Sequence, residues 1–327
     1  MPSVKVGLVG LGFVGRVHLA NLLADDRVQL VVCSLSVDEK KVPAGIPFYD
    51  DFEAMLANET LDGVVIATPT PLHEPMAVEA TRRGVHAFVE KPLALDLPGC
   101  DRIVDAARKT GAYLQVGHVL HFWPSYVEAR RRVREGDLGR PRQLRAIRAG
   151  PFPGWAAWFA DDAQSGSVIL DLNIHDVDFA AWLFDEPVAE VYAEAREIEV
   201  HGRRVWGVAH TSLRFESGGL ALCEASWAGA ATMPFTTKLE VACEKGLLSF
   251  EPRPCLSLYG AEEAKHLDPV QLDGYALELR HFVDLLTGKA TEPAVTGEFS
   301  REVVRVCLAA RKSAREHRVV RPREEVP

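Results

Sequence analysis

The stretch Val4-Lys5-Val6-Gly7-Leu8-Val9-Gly10-Leu11-Gly12-Phe13-Val14-Gly15 decides the fold. An apolar run at the start of the chain leads into Gly-x-Gly-x-x-Gly at Gly10, Gly12 and Gly15, and a helical pattern follows with Val17, Ala20 and Ala24 set on one face. Strand, glycine hexad and helix in that order are the context that a dinucleotide loop requires. Gly10 makes the tight turn, Gly12 lets the backbone approach a pyrophosphate, and Gly15 lets helix and strand pack closely. Phe13 and Val14 lie in the first turn of the helix, whose free N–H groups and positive dipole end suit phosphate.

Outward from this stretch, the first 120 residues alternate apolar runs (Val4–Val9, Val28–Cys33, Gly63–Ala67, Val85–Glu90, Tyr113–Val116) with helical patterns at 13–24, 50–57, 74–83 and 98–110. Runs apolar on both faces suit buried parallel strands. The fold class is therefore α/β, with an N-terminal Rossmann dinucleotide-binding domain over 1–119. Beyond residue 120, helical patterns at 125–135, 170–184, 275–287 and 298–315 surround alternating strands at Val205–Phe215, Leu220–Trp227 and Thr237–Cys243. Ser217-Gly218-Gly219 is a hairpin signal between the first two of these. This reads as a C-terminal α+β domain over 120–327 with a large, mostly antiparallel open sheet, and the active cleft is expected between the domains.

The 327 residues carry 37 basic and 46 acidic side chains, a formal net charge of −9, which gives nucleic acid or an anionic membrane no electrostatic foothold. Arg130–Arg148 holds eight arginines and 311–323 six basic residues; both are expected to be solvated helix faces. No apolar run has the length needed to span a bilayer, and six cysteines without CxxC spacing indicate neither a metal site nor a disulfide framework. A cytoplasmic protein is expected.

Three further motifs carry chemistry. Thr68-Pro69 with His73 ends the third run and Glu90-Lys91-Pro92 ends the fourth, both at the carboxyl edge where such sheets bind ligands. Lys91 there is a candidate electrophile, with a salt-bridged surface lysine as the structural alternative. In Asp171-Leu172-Asn173-Ile174-His175-Asp176-Val177-Asp178, Asp171 and His175 share a helix face, with Asp178 one turn on. An aspartate holding a histidine is the arrangement of an oriented general base near neutral pH, and a capping aspartate beside a packed histidine is its structural alternative. After the second run, where a ribose-binding acid is usual, stands Ser34; Asp38 is the nearest acid, and Lys40 and Lys41 are close. NAD(P) is the expected cofactor, with NADP slightly favoured over NAD.

Together, in order and spacing, these motifs resemble the Gfo/Idh/MocA oxidoreductases, with further matches at Gly117-His118, Glu135-Gly136-Asp137-Leu138-Gly139 and Trp182-Leu183-Phe184. The resemblance covers essentially the whole chain, and His175-Asp176-x-Asp178 before Trp182 is most similar to the inositol-dehydrogenase branch. Three positions depart from the pattern: Ser34 for the common acid, Ser167 for a glycine, and His121 for an arginine. The resemblance implies that Thr68, Pro69, His73, Glu90 and Lys91 line the cofactor site. It also implies that Lys91 binds the reacting hydroxyl, that His175 takes or returns its proton and that Asp171 orients the histidine. A hydride then passes between a sugar, polyol or inositol-like substrate and the nicotinamide. An NAD-dependent glycosidase and a non-catalytic dinucleotide-responsive regulator are the alternatives.

The loop 151–166 carries Trp155 and Trp158, either as packing anchors or as a substrate wall that stacks on C–H groups, with His121 and Asp178 as polar partners for further hydroxyls. The open sheet must cover its exposed face, so a homodimer or homotetramer formed through it is expected.

Overall fold

The computed structural model describes residues 3–35, 42–251, 255–260, 264–267 and 273–326. Its first strands are β1 (Val4–Val9), β2 (Val28–Cys33), β3 (Phe48–Tyr49), β4 (Gly63–Ile66), β5 (His86–Glu90) and β6 (Leu114–Gly117). There follow β7 (Pro141–Pro151), β8 (Val188–Val200), β9 (Arg203–Phe215), β10 (Leu220–Gly229), β11 (Thr236–Cys243), β12 (Gly246–Glu251), β13 (Cys255–Gly260) and β14 (Ala264–Leu267). The helices are α1 (Phe13–Leu23), α2 (Phe52–Asn58), α3 (His73–Arg82), α4 (Leu97–Thr110), α5 (Pro124–Glu135), α6 (Asp162–Ser165), α7 (Ile174–Phe184), α8 (Gly274–Leu286), α9 (Gly297–Glu316) and α10 (Pro322–Glu325).

Two compact units result: residues up to Val119 with Asp273–Arg301, and Leu120–Leu272 with Glu302 onward. In the first, six parallel strands run in the order β3-β2-β1-β4-β5-β6. This is the Rossmann order, with the chain reversing direction beside β1, where ligands of such sheets bind. Residues 273–301, expected in the second domain, pack in this first unit. The reason is the apolar face of α8: Leu279, Phe282, Val283 and Leu285 share one buried cluster with Val4, Val6, Leu8, Val65 and Phe88. The buried face of α1 also differs from expectation. It consists of Gly15, His18, Leu19 and Leu22, at i, i+3, i+4 and i+7, whereas Ala20 and Ala24 are exposed.

The second unit is built on eight strands in the order β14-β13-β12-β11-β7-β10-β9-β8. Among the described residues only β7 and β10 pair in parallel; the other neighbours are antiparallel. Ser217-Gly218-Gly219 does turn β9 into β10, with Gly218 at φ +89°. Strands β7, β8 and β12 to β14 lie outside the expected set. In β7 Arg142 and Arg145 are exposed while Leu144, Ala146 and Arg148 are buried, so residues 141–148 of the stretch expected as a solvated helix face form a central strand, whereas Arg130–Arg134 do lie on helix α5. Helix α7 is preceded by a π-helical turn, Ile169–Asn173, rather than by regular α-helix.

Candidate active site

The dinucleotide loop follows from its glycines. Gly10 sits at φ +94°, and a Cβ there would lie 2.5 Å from the Ala67 carbonyl oxygen; a Cβ on Gly15 would lie 2.1 Å from the Gly10 carbonyl oxygen. Both positions are closed to any side chain. Gly12 is different: it is the N-cap of α1, and a Cβ on it would meet nothing within 4 Å. Among the described residues no side chain caps α1, and no acid occupies its first turn, which leaves its N-terminal N–H groups for another acceptor. Phe13 is exposed and Val14 half-buried at the same end. A cradle that only a missing Cβ keeps open, at the positive end of an uncapped helix, fits a dinucleotide pyrophosphate.

The other cofactor candidates lie at the carboxyl ends of the neighbouring strands. Ser34 is buried directly after β2, where its N–H donates to the Tyr49 carbonyl at 3.0 Å. Asp38, Lys40 and Lys41 lie outside the described residues. His73 is fully buried and reaches two carbonyl oxygens, that of Pro92 from Nδ1 and that of Thr68 from Nε2, each at 2.9 Å. It thereby ties the Thr68-Pro69 turn to the Glu90-Lys91-Pro92 turn. Burial holds its pKa below the ordinary histidine value. Glu90 is buried at the end of β5, and its carboxylate accepts from His18 Nε2 at 2.6 Å and from the Lys91 backbone N–H at 3.2 Å. The Lys91–Pro92 peptide is cis, and the Lys91 side chain is half-buried.

In the second unit, every residue from Val168 to Ala180 is buried except Asp171 and His175. Two polar side chains four apart are thus the only ones this segment leaves accessible. The turn before them starts from Ser167, a buried residue held at φ +67°, a conformation that favours glycine. His121 and Asp178 come together: Nε2 and Oδ1 are 3.0 Å apart and both side chains are buried. The His121 ring stacks on Trp182 at a centroid distance of 4.0 Å, and the Arg130 guanidinium covers the same indole at 4.5 Å. Trp158 stacks on Phe159 at 4.0 Å, while Trp155 meets Phe159 edge-on and keeps 60% of its surface exposed.

One family model, described as an oxidoreductase family with NAD-binding Rossmann fold, matches residues 4–118, and a second, the GFO/IDH/MocA C-terminal domain, matches 126–249. The chain belongs to the Gfo/Idh/MocA family. It is an oxidoreductase with a nicotinamide-dinucleotide domain. Among Gfo/Idh/MocA relatives, a myo-inositol 2-dehydrogenase of Thermotoga maritima is 27% identical over 99% of this chain and 100% of its own. A scyllo-inositol 2-dehydrogenase (NAD+) of Bacillus subtilis is 28% identical over 96% of this chain and 94% of its own. A solved structure of GenD2 from gentamicin A biosynthesis, in complex with NAD, superposes with a TM-score of 0.87 at 26% identity, covering 98% of this chain and 97% of that one.

Several residues outside the motifs support these sites. His18 and Glu278 flank Glu90 from buried positions of α1 and α8, where a buried helix face ordinarily carries apolar side chains. Arg148 on β7 is buried against Asp176 at 2.8 Å and also meets the Tyr126 hydroxyl. The signal for that pair was an arginine amid an apolar alternation, which becomes legible only once 141–151 is known to be a strand.

Proposed function

We propose that the protein is an NAD(P)-dependent dehydrogenase or reductase that moves a hydride between the nicotinamide and a secondary alcohol or ketone of an inositol, other polyol or sugar. The observation that carries this reading is the Asp171–His175 pair. It is the only accessible polar pair on a buried helical segment, in a chain whose similar relatives bear the names of inositol 2-dehydrogenases.

In this reading, Lys91 places its ammonium against the oxygen of the reacting carbon and favours the developing alkoxide. His175 takes the hydroxyl proton in oxidation and returns it in reduction, and Asp171 holds the ring in the productive tautomer. The nicotinamide, when bound, accepts or supplies the hydride. Thr68, Pro69 and the backbone beside Glu90 would hold its ring, and the Gly10–Gly15 loop its pyrophosphate. Because Ser34 leaves no carboxylate at the end of β2 to repel a 2′-phosphate, NADP binds at least as well as NAD.

On the substrate side, the exposed indole of Trp155 is the proposed stacking wall, with the His121–Asp178 pair presenting polar atoms to more distant hydroxyls. The wet face of the second sheet exposes Tyr192, Leu220 and Leu222 and is the proposed contact with a second copy. The test is a screen of purified protein against polyols and sugars with NAD and with NADP. Stoichiometric appearance of reduced nicotinamide with an inositol supports the reading. Turnover of a glycoside without net change in the cofactor supports a glycosidase instead, and dinucleotide binding without turnover of any panel member supports a regulator.

A further inference from the structure

His18 from α1, Glu90 from β5 and Glu278 from α8 bring one ligating atom each to within 4.8 Å of one another, and all three side chains are buried. Lys91 follows Glu90 directly in the chain. The Glu90 carboxylate is already engaged twice, by His18 Nε2 at 2.6 Å and by the Lys91 N–H at 3.2 Å. The Glu278 carboxyl meets the cluster with neither oxygen hydrogen-bonded to any described residue. The helix that bears it is fixed by Gln115, whose side-chain amide donates to the Glu278 main-chain carbonyl at 3.0 Å and whose oxygen meets His281 Nδ1 at 2.7 Å. Space for the cluster is cut from β6: a Cβ on Gly117 would lie 3.1 Å from the Glu90 carboxyl.

Two ionised carboxylates this close would be strongly unfavourable in a buried site, and the one basic side chain within the cluster itself is His18. The other groups around Glu278 do not relieve this. Asp273 at the N-cap of α8 adds negative charge, and the rings of Phe88 and Tyr275 pack edge-on against His18 at 5.5 and 6.0 Å. Either a proton or a metal ion must balance the charge. The His18–Glu90 contact decides between them, because two ligands on one zinc ion, each about 2.0–2.1 Å from it, lie roughly 3.3 Å apart in a tetrahedron. At 2.6 Å these two atoms share a hydrogen instead.

We propose that His18, Glu90 and Glu278 form a buried triad in which Glu278 is a neutral acid beside the hydrogen-bonded Glu90, and that this triad positions Lys91. Burial, with the charge of Glu90 next to it, raises the Glu278 pKa well above the ordinary carboxylate value, in agreement with that assignment. Only the last clause, the positioning of Lys91, rests on the function proposed above; the protonation is read in the protein alone.

The test therefore has two arms. Carboxyl 13C spectra of glutamate-labelled protein, without cofactor or substrate, should show one side chain that stays protonated from about pH 6 to about pH 8. That signal should vanish in Glu278→Gln. If every glutamate carboxyl is ionised over that range, or if the purified protein carries stoichiometric zinc whose removal creates the acid signal, the triad is refuted. In the second arm, the Lys91 amide resonance of lysine-labelled protein, assigned with Lys91→Arg, should move in Glu278→Ala and return in Glu278→Gln, whose neutral amide replaces the acid. Turnover should fall about a hundredfold in Glu278→Ala, with cofactor affinity changed far less, and be rescued in Glu278→Gln. An unmoved Lys91 amide in Glu278→Ala, or a Gln variant as impaired as the Ala variant, overturns the positioning role. Should Glu278→Ala fail to fold, Glu278→Asp takes its place, because the shorter acid withdraws from Glu90 while keeping the proton. Absence of turnover on every polyol would refute the proposed function and leave both spectroscopic arms standing.

Discussion

The three glycines of the dinucleotide loop should fail in different ways when given a methyl group. At Gly10, alanine must adopt φ +94° and put its Cβ 2.5 Å from the Ala67 oxygen. The left-handed backbone costs about 1–2 kcal/mol and the forced shift of neighbouring backbone about 1–3 more. A loss of about 2–5 kcal/mol follows, enough to lower the melting temperature by several degrees. At Gly12, φ is −66° and the methyl enters empty space, so stability should stay within about 0.5 kcal/mol of the parent. That space is where the pyrophosphate oxygens must approach the helix. Loss of one hydrogen bond to a charged group, about 1.5–3 kcal/mol, weakens dinucleotide binding about 10- to 150-fold. Thermal denaturation and titration of reduced cofactor fluorescence separate the two effects. A Gly12→Ala variant that binds the dinucleotide as well as the parent, or that melts together with Gly10→Ala, would refute the loop's assigned geometry.

Ser167 pays a backbone strain at φ +67° that glycine avoids and a β-branched residue worsens, so Ser167→Gly should melt above Ser167→Val by the equivalent of about 2 kcal/mol. Removing one partner of the buried Arg148–Asp176 pair, as in Arg148→Ala, should destabilise by about 3–5 kcal/mol in denaturant unfolding, and Arg148→Met with Asp176→Leu should recover a large part of it. The raised pKa of Glu278 means that the folded state holds a proton the unfolded chain has released above about pH 4.5, so stability falls as pH rises from there. Glu278→Gln should therefore gain on the parent as pH rises above about 4.5, by up to about 1.4 kcal/mol per pH unit. Parallel pH–stability curves for the two proteins would contradict this.

The first unit was legible because its strands are apolar on both faces and its loop is fixed by steric demands at single glycines. The second was legible only in part. Strand β8 reads Val-Ala-Glu-Val-Tyr-Ala-Glu-Ala-Arg-Glu-Ile-Glu-Val, rich in residues that favour helices, and its charged side chains belong to the sheet's wet face. Strand β7 hid in the same way behind its arginines. Helix α8 was read as a helix, but its partner lies more than 150 residues away in sequence at β1 and β5, and no local pattern shows that. The site motifs were visible as residue types at the right spacing. What supports them, His18 on Glu90 and His73 between two carbonyls, depends on contacts across 72 and 19 residues that only folding creates.

The central claim is that this chain removes a hydride from a secondary alcohol through Lys91 and His175. The most direct test is incubation of the purified protein with myo-inositol deuterated at C2 and with NAD or NADP, reading the nicotinamide C4 by NMR. The account predicts deuterium at C4 in stoichiometric yield, at a rate that falls about a hundredfold or more in Lys91→Ala and His175→Ala. Reduced cofactor without deuterium at C4, or an undiminished rate in both variants, would contradict it.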